Sequence, residues 1–196
     1  MKELLYNDNI FEKVKEIHPV EERTIVVTTN GMVKKNGAAV MGRGIAKYAD
    51  DNLSLIKNPD YPLSYGYLKL DTCSKMLGML LLAYGNHAYY LGTWQDSVTN
   101  TFFNIITMPT KNDWRNPSDI QLIEQSCKEI VNIADKRPYL KDIFLPAPGC
   151  SCGKLSWEDV YQKISPILDD RFICVHPDSM KFMSKEKDEN NFDFER

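Results

Sequence analysis

No apolar stretch in this chain approaches the length of a membrane span. The longest, around Met76–Tyr84, falls far short of the roughly 20 residues that cross a bilayer. The N-terminus, MKELLYNDNIFEK, turns charged too soon for a secretory signal. Net charge is nearly missing too. There are 24 basic and 27 acidic residues, leaving −3, of which the last twelve residues, Lys185–Arg196, contribute −2. The near-neutral body has no global pull toward nucleic acid or anionic lipid, so a polyanion would have to be held by a local site. Cysteines are few, odd in number and scattered (Cys73, Cys127, Cys150, Cys152 and Cys174), which suits reduced thiols in a cytoplasmic protein. The Cys150-Ser151-Cys152 spacing is too tight for a zinc pair and has no second pair, so no metal is expected. No repeat or low-complexity segment precedes the tail.

What is present is ordinary for a globular domain: 43% hydrophobic and 26% charged residues over 196 positions. That length suits one domain, taken here as residues 1–180, followed by a charged and flexible tail over 181–196. Thr24–Thr29 is β-branched and almost continuously apolar, as in a strand buried on both faces. Helices are expected from Gly44, from Ser118 (capping, with Gln121 completing a capping box) and from Ser156. Asp142–Leu145 and Arg171–Val175 read as strands. So do Tyr65–Leu70, Lys75–Tyr84, Ala88–Trp94 and Phe102–Met108, with Gly85-Asn86 as a hairpin turn. This alternation predicts an α/β fold, a three-layer α/β/α sandwich with a mixed central sheet. Ligands in such folds sit beyond the carboxyl ends of the strands.

Two loops there stand out. The first, Asn30–Ala46, runs from a buried strand through Gly31, Gly37, Gly42 and Gly44 into a helix, where free amides and the helix dipole favour phosphate. It is neither a Walker loop nor GxGxxG, and an ordinary tight turn is the competing reading. The second, Leu145–Trp157, repeats the order strand, glycine-bearing loop, capped helix. Together they suit a diphosphate held from two sides.

These residues resemble a known family. Val40-Met41-Gly42-Arg43-Gly44-Ile45-Ala46, ten residues after the strand-terminal Asn30, looks like the first ligand loop of macrodomains, the ADP-ribose-binding modules. LPAPGCSCGKLSWEDV (Leu145–Val160) is similar to their second loop, and Asp8-Asn9-Ile10-Phe11-Glu12 to the segment that holds adenine. Met108–Arg115, with Ser118 beyond it, resembles a stretch of the DNA ADP-ribosylglycohydrolase antitoxins, which remove ADP-ribose from thymidine bases. The matches span most of residues 8–175.

The resemblance implies that Asn30 hydrogen-bonds the distal ribose. Gly42, Arg43, Gly44 and Ile45 present backbone N–H groups to the diphosphate, as Gly149, Cys150, Ser151, Cys152 and Gly153 do from the other side. Ile10 offers a main-chain contact to adenine, and Asn9 stands where the family has its adenine-reading aspartate. Lys111 matches the catalytic lysine of the DNA-directed branch, acting as a base or as a fixed cation. Three departures are visible. The segment between Asn9 and Asn30 is longer, with an inserted helical turn or two over Lys13–Arg23. Ser151 replaces a loop glycine. Gly153 stands where another hydrolase branch carries a carboxylate. The implied protein is a cytoplasmic monomer that binds ADP-ribose without metal or cofactor. It hydrolyses an ADP-ribose adduct (an ADP-ribosylated nucleobase, as in ADP-ribosylated DNA, or ADP-ribose 1″-phosphate), or else only binds. His87 and His176 lack a carboxylate partner nearby in sequence and read as structural. Trp114 and Trp157 read as packing residues, with a place for Trp114 at the substrate entrance as the other option.

Overall fold

The computed structural model describes residues 1–6, 10–17, 23–57, 64, 65 and 68–177. Among the described residues fourteen elements run in chain order. They are β1 (Lys2–Tyr6), α1 (Ile10–Ile17), β2 (Arg23–Asn30), α2 (Gly44–Asn52), β3 (Leu53–Lys57), β4 (Ser64–Tyr65), β5 (Leu68–Lys69), α3 (Cys73–Tyr84), β6 (Tyr90–Asp96), β7 (Thr101–Lys111), α4 (Ile120–Asp135), β8 (Ile143–Pro146), α5 (Trp157–Ile164) and β9 (Phe172–Pro177). Seven strands form one sheet in the order β1-β9-β8-β2-β7-β6-β3, and β4 and β5 pair separately. From β1 across to β7 every neighbour is parallel, while β6 is antiparallel to both β7 and β3. The sheet is therefore mixed, as the sequence led us to expect.

Alternation along the central strands divides the core into two layers, because successive side chains point to opposite faces. Ile25 and Val27 of β2, Phe103 and Ile105 of β7, Phe144 of β8 and Ile173 and Val175 of β9 pack against α1, α2 and α3. Val26, Ile106, Met108, Ile143, Leu145 and Phe172 face α4 and α5. On the first side Phe11 stacks on Tyr48, with ring centroids 4.7 Å apart, and meets Phe103 edge-on. On the second, α4 buries Ile123, Cys127, Ile130 and Ala134, and α5 buries Val160 and Ile164. Among the described residues no helix is long and apolar enough to cross a membrane.

Several expectations need correction. Lys75–Tyr84 is not a strand but most of α3. Thr72 caps it by accepting from Lys75 N, and Cys73, Met76, Leu77, Leu80 and Leu81 are buried. A helix sunk between a sheet and a loop is apolar nearly all round, which hides the 3.6-residue period. Gly85 (φ 94°) ends that helix instead of turning a hairpin. Among the described residues, Tyr65–Leu70 holds the last residue of β4 and the two residues of β5. α4 is capped by Asp119, whose carboxylate accepts from Gln121 N and Leu122 N, and not by Ser118. The tail at 181–196 lies outside the described residues.

Candidate functional site

Parallel alignment of β1, β9, β8, β2 and β7 brings five carboxyl ends to one edge of the sheet. Loop one leaves β2 there, loop two leaves neighbouring β8, and the β7–α4 connection leaves the strand on the other side. The β2–β7 register pairs Asn30 with Lys111 across a bulge at Thr29/Asn30. The two residues read as catalytic thus stand side by side at the ends of paired strands. The amide of Gly31 then bonds the carbonyls of Lys111 and Asn112, at 3.2 and 3.1 Å.

Loop one is built on Asn30. Its Oδ1 accepts from Met32 N at 3.0 Å and its Nδ2 donates to Val40 O at 2.8 Å, so the side chain closes the loop on itself. A bridge between Val33 and Ala39 and the bond from Ala39 N to Ser74 O anchor the loop to α3. The fit is close: a Cβ at Gly78 would fall 2.0 Å from Gly37 O, so α3 needs glycine at this crossing. Beyond it the chain opens. A Cβ at Gly42 or Gly44 would meet nothing within 4 Å. Arg43, the N-cap residue of α2, makes no capping bond with its side chain, whereas Thr72, Asp119 and Ser156 cap α3, α4 and α5. The first amides of a helix have no partner within it, so this end of α2 offers N–H groups and a positive dipole end to an anion.

Loop two is packed differently. Gly149 takes φ 78°, and its carbonyl accepts from Leu155 N at 3.0 Å. Lys154 N bonds Ser151 O, and Ser156 caps α5 through Asp159 N. Cys150 is half-buried, and burial pushes its thiol up to about 12, while Cys152 and Ser151 are exposed. Among the described residues no three His, Cys, Asp or Glu side chains gather to hold a metal.

Lys111 ties these parts together. Its Nζ donates to Asn116 O at 2.9 Å and to Cys152 O at 3.3 Å, joining the β7–α4 connection to loop two. Asn86 Nδ2 donates to Asn112 Oδ1 at 2.9 Å, bracing the start of that connection. Further along, the Arg115 guanidinium forks onto Asp113 and holds its carboxyl near 2. Trp114 beside them is 57% exposed, which removes the packing reading, while Trp157 is partly buried and meets Tyr161 edge-on. Ile10 opens α1 with its side chain buried. Asn9 lies outside the described residues, as does the side chain of His176. His87 has a partner that sequence distance concealed: its Nδ1 lies 2.8 Å from Glu129 Oε1, and Glu129 Oε2 accepts from Ala88 N. The pair staples α4 to the start of β6. The brace at Asn86 and the close approach at Gly78 had no local sequence signal, since both depend on residues brought together by the fold.

No family model matches the chain. A DNA ADP-ribosyl glycohydrolase of Thermus aquaticus is 36% identical over 66 residues, which are 33% of this chain and 18% of that protein. The chain thus spans under a fifth of the curated relative it matches. Solved structures cover more of it. Thermosipho africanus DarTG in complex with ADP-ribose aligns over 91% of this chain and 42% of its own, with TM-score 0.57 and 18% identity. The macrodomain of Mycobacterium tuberculosis DarG aligns over 89% and 97%, with TM-score 0.55 and 18% identity. The macrodomain of Thermus aquaticus DarG aligns over 90% and 97%, with TM-score 0.53 and 21% identity. With its mixed sheet between two helical layers and two glycine-bearing loops at the carboxyl edge, this chain has the macrodomain fold.

Proposed function

We propose that this protein binds ADP-ribose along the carboxyl edge of its sheet and hydrolyses an ADP-ribosyl adduct, an ADP-ribosylated nucleobase before ADP-ribose 1″-phosphate. The observation that carries this reading is the juxtaposition of Asn30 and Lys111 on paired strand ends. They stand between the open N-terminus of α2 and loop two. In it, amides of Gly42–Ile45 take the diphosphate from one side and loop two takes it from the other. Loop two contributes backbone alone, because Ser156 already occupies the cap of α5. Asn30 holds loop one in shape through its amide and reaches the distal ribose from there. The main chain at Ile10 takes adenine.

Lys111 acts on the scissile bond. An ammonium has three N–H donors, and two of them serve the carbonyls of Asn116 and Cys152. The third is left for the leaving group or the ribose oxygen, which favours a fixed cation over a base. The nucleobase reading draws support from the name of the Thermus aquaticus relative and from exposed Trp114, three residues beyond Lys111. A second reading, a binding module without turnover, is favoured by the ammonium being already engaged by two carbonyls. Incubation with ADP-ribosylated DNA, ADP-ribosylated protein and ADP-ribose 1″-phosphate separates them. Release of ADP-ribose from DNA supports the leading reading, and binding with no product from any of the three supports the second.

A further inference from the structure

Ser118 is 8% exposed, and its Oγ has no hydrogen-bond partner among the described residues. A buried hydroxyl without a partner is costly and uncommon in native proteins. Two features explain how it arises here. Asp119 caps α4, so Ser118 is relieved of the capping role that its position suggests. Its own amide donates to Gly153 O at 2.9 Å, which fixes the residue against loop two. The hydroxyl faces into that loop: a Cβ on Gly153 would lie 2.2 Å from Ser118 Oγ and 2.3 Å from Gly149 O. Hydroxyl and carbonyl therefore flank a single small gap and do not bond across it. The Gly149 carbonyl accepts one bond, from Leu155 N, and has a second lone pair to offer.

We propose that Ser118 is a positioning residue for loop two, its hydroxyl donating to the Gly149 carbonyl once a bound diphosphate has drawn the loop amides toward itself. The inference rests on the ADP-ribose reading of the pocket. It gives the unpaired hydroxyl a role: the bond to the Gly149 carbonyl is made in the complex, so its energy goes to affinity and not to the fold. Ser126, on the same helix, is the contrast. It is fully buried, and its single O–H is shared between Pro109 O and Leu122 O, both at 2.8 Å.

The test is calorimetric titration of ADP-ribose into the full chain, with melting temperatures measured alongside, for the parent, Ser118→Ala and Ser126→Ala. Ser118→Ala is expected to melt no lower than the parent and to bind roughly three- to tenfold more weakly, the worth of one net hydrogen bond. Ser126→Ala is expected to melt lower and to bind as the parent does. Unchanged affinity in Ser118→Ala overturns the proposal. So does weaker binding that comes with a lowered melting temperature, since the hydroxyl would then serve the fold. If the parent itself takes up no ADP-ribose, the reading of the pocket fails and this inference falls with it.

Discussion

A Cβ placed on Gly42 or Gly44 of loop one meets nothing within 4 Å, whereas one on Gly153 of loop two falls 2.2 Å from a side-chain oxygen and 2.3 Å from a backbone oxygen. The helix that follows loop one has no side-chain cap, and the helix that follows loop two is capped by Ser156. In sequence the loops look alike, each a strand end, a run of glycines and a helix start. In the fold their glycines answer different demands. Loop one leaves open space at Gly42 and Gly44 and runs into a helix start without a side-chain cap, features that suit an anion. Loop two spends Gly149 and Gly153 on its own packing against Ser118, Ile123 and Leu155. On the proposed reading, loop one would carry more of the electrostatic hold on a diphosphate, and loop two would serve as a shaped wall.

Lys111 bridges loop two and the β7–α4 connection, so its removal is expected to have the largest effect. Lys111→Ala should cost at least about a hundredfold in turnover on the substrate found, while ADP-ribose affinity stays within a few-fold of the parent. Lys111→Arg keeps the charge, and recovery of activity in it would establish the fixed-cation role, whereas an Arg variant as inactive as Ala would assign proton transfer or strict placement. Full activity in Lys111→Ala would take the residue out of the mechanism.

Next in size is a pair of alanine variants that separates the loops by stability. Gly153→Ala must push against the backbone of Gly149 and is expected to lose about 1–3 kcal/mol in urea unfolding. Gly42→Ala enters open space and should change stability by less than about 0.5 kcal/mol. Equal losses in the two variants would erase the distinction between packed and open glycines.

The smallest effect lies within loop two. Cys152 is the exposed thiol among the five, and Cys150 is half-buried with its titration pushed up to about 12. A thiol-alkylating reagent at mildly alkaline pH should therefore modify Cys152 first, and ADP-ribose should slow that reaction if loop two walls the pocket. Peptide mapping with and without ligand reads both outcomes, and preferential labelling of Cys150 would contradict the arrangement.

Much of this was legible in the sequence, for reasons that differ by element. β2 was readable because a parallel central strand is apolar on both faces, and Thr24–Thr29 is continuously β-branched or apolar. Loop two and α5 were readable from the glycines and from Ser156, which is the observed cap. α3 was misread because burial against both the sheet and loop one removed its polar face. β1 begins with Lys2 and Glu3 and follows no alternation, and β3 starts at the residue immediately after α2, so neither carries a boundary signal. In the site, Asn30 was legible as a strand end, but Lys111 lies beyond the expected Phe102–Met108 strand, so its pairing with Asn30 emerged only from the sheet register. The bonds from Lys111 to Asn116 and Cys152, and from His87 to Glu129, join segments that no local pattern connects. Ser118 was singled out correctly as a position and wrongly as a cap, because Asp119 beside it is an equally good capping residue.

The central claim, that loop one takes the diphosphate of ADP-ribose, is tested most directly at Gly42. That residue has open space around it and no positive φ, whereas Gly44 sits at φ 57°, where any side chain brings backbone strain. Gly42→Glu would set a carboxylate against the phosphates without disturbing the fold. Calorimetric titration of ADP-ribose is predicted to show one site in the parent and at least about tenfold weaker binding in Gly42→Glu, the worth of roughly 1.4 kcal/mol, at an unchanged melting temperature. Equal affinity in the two proteins, or no binding by the parent at millimolar ligand, would contradict the account.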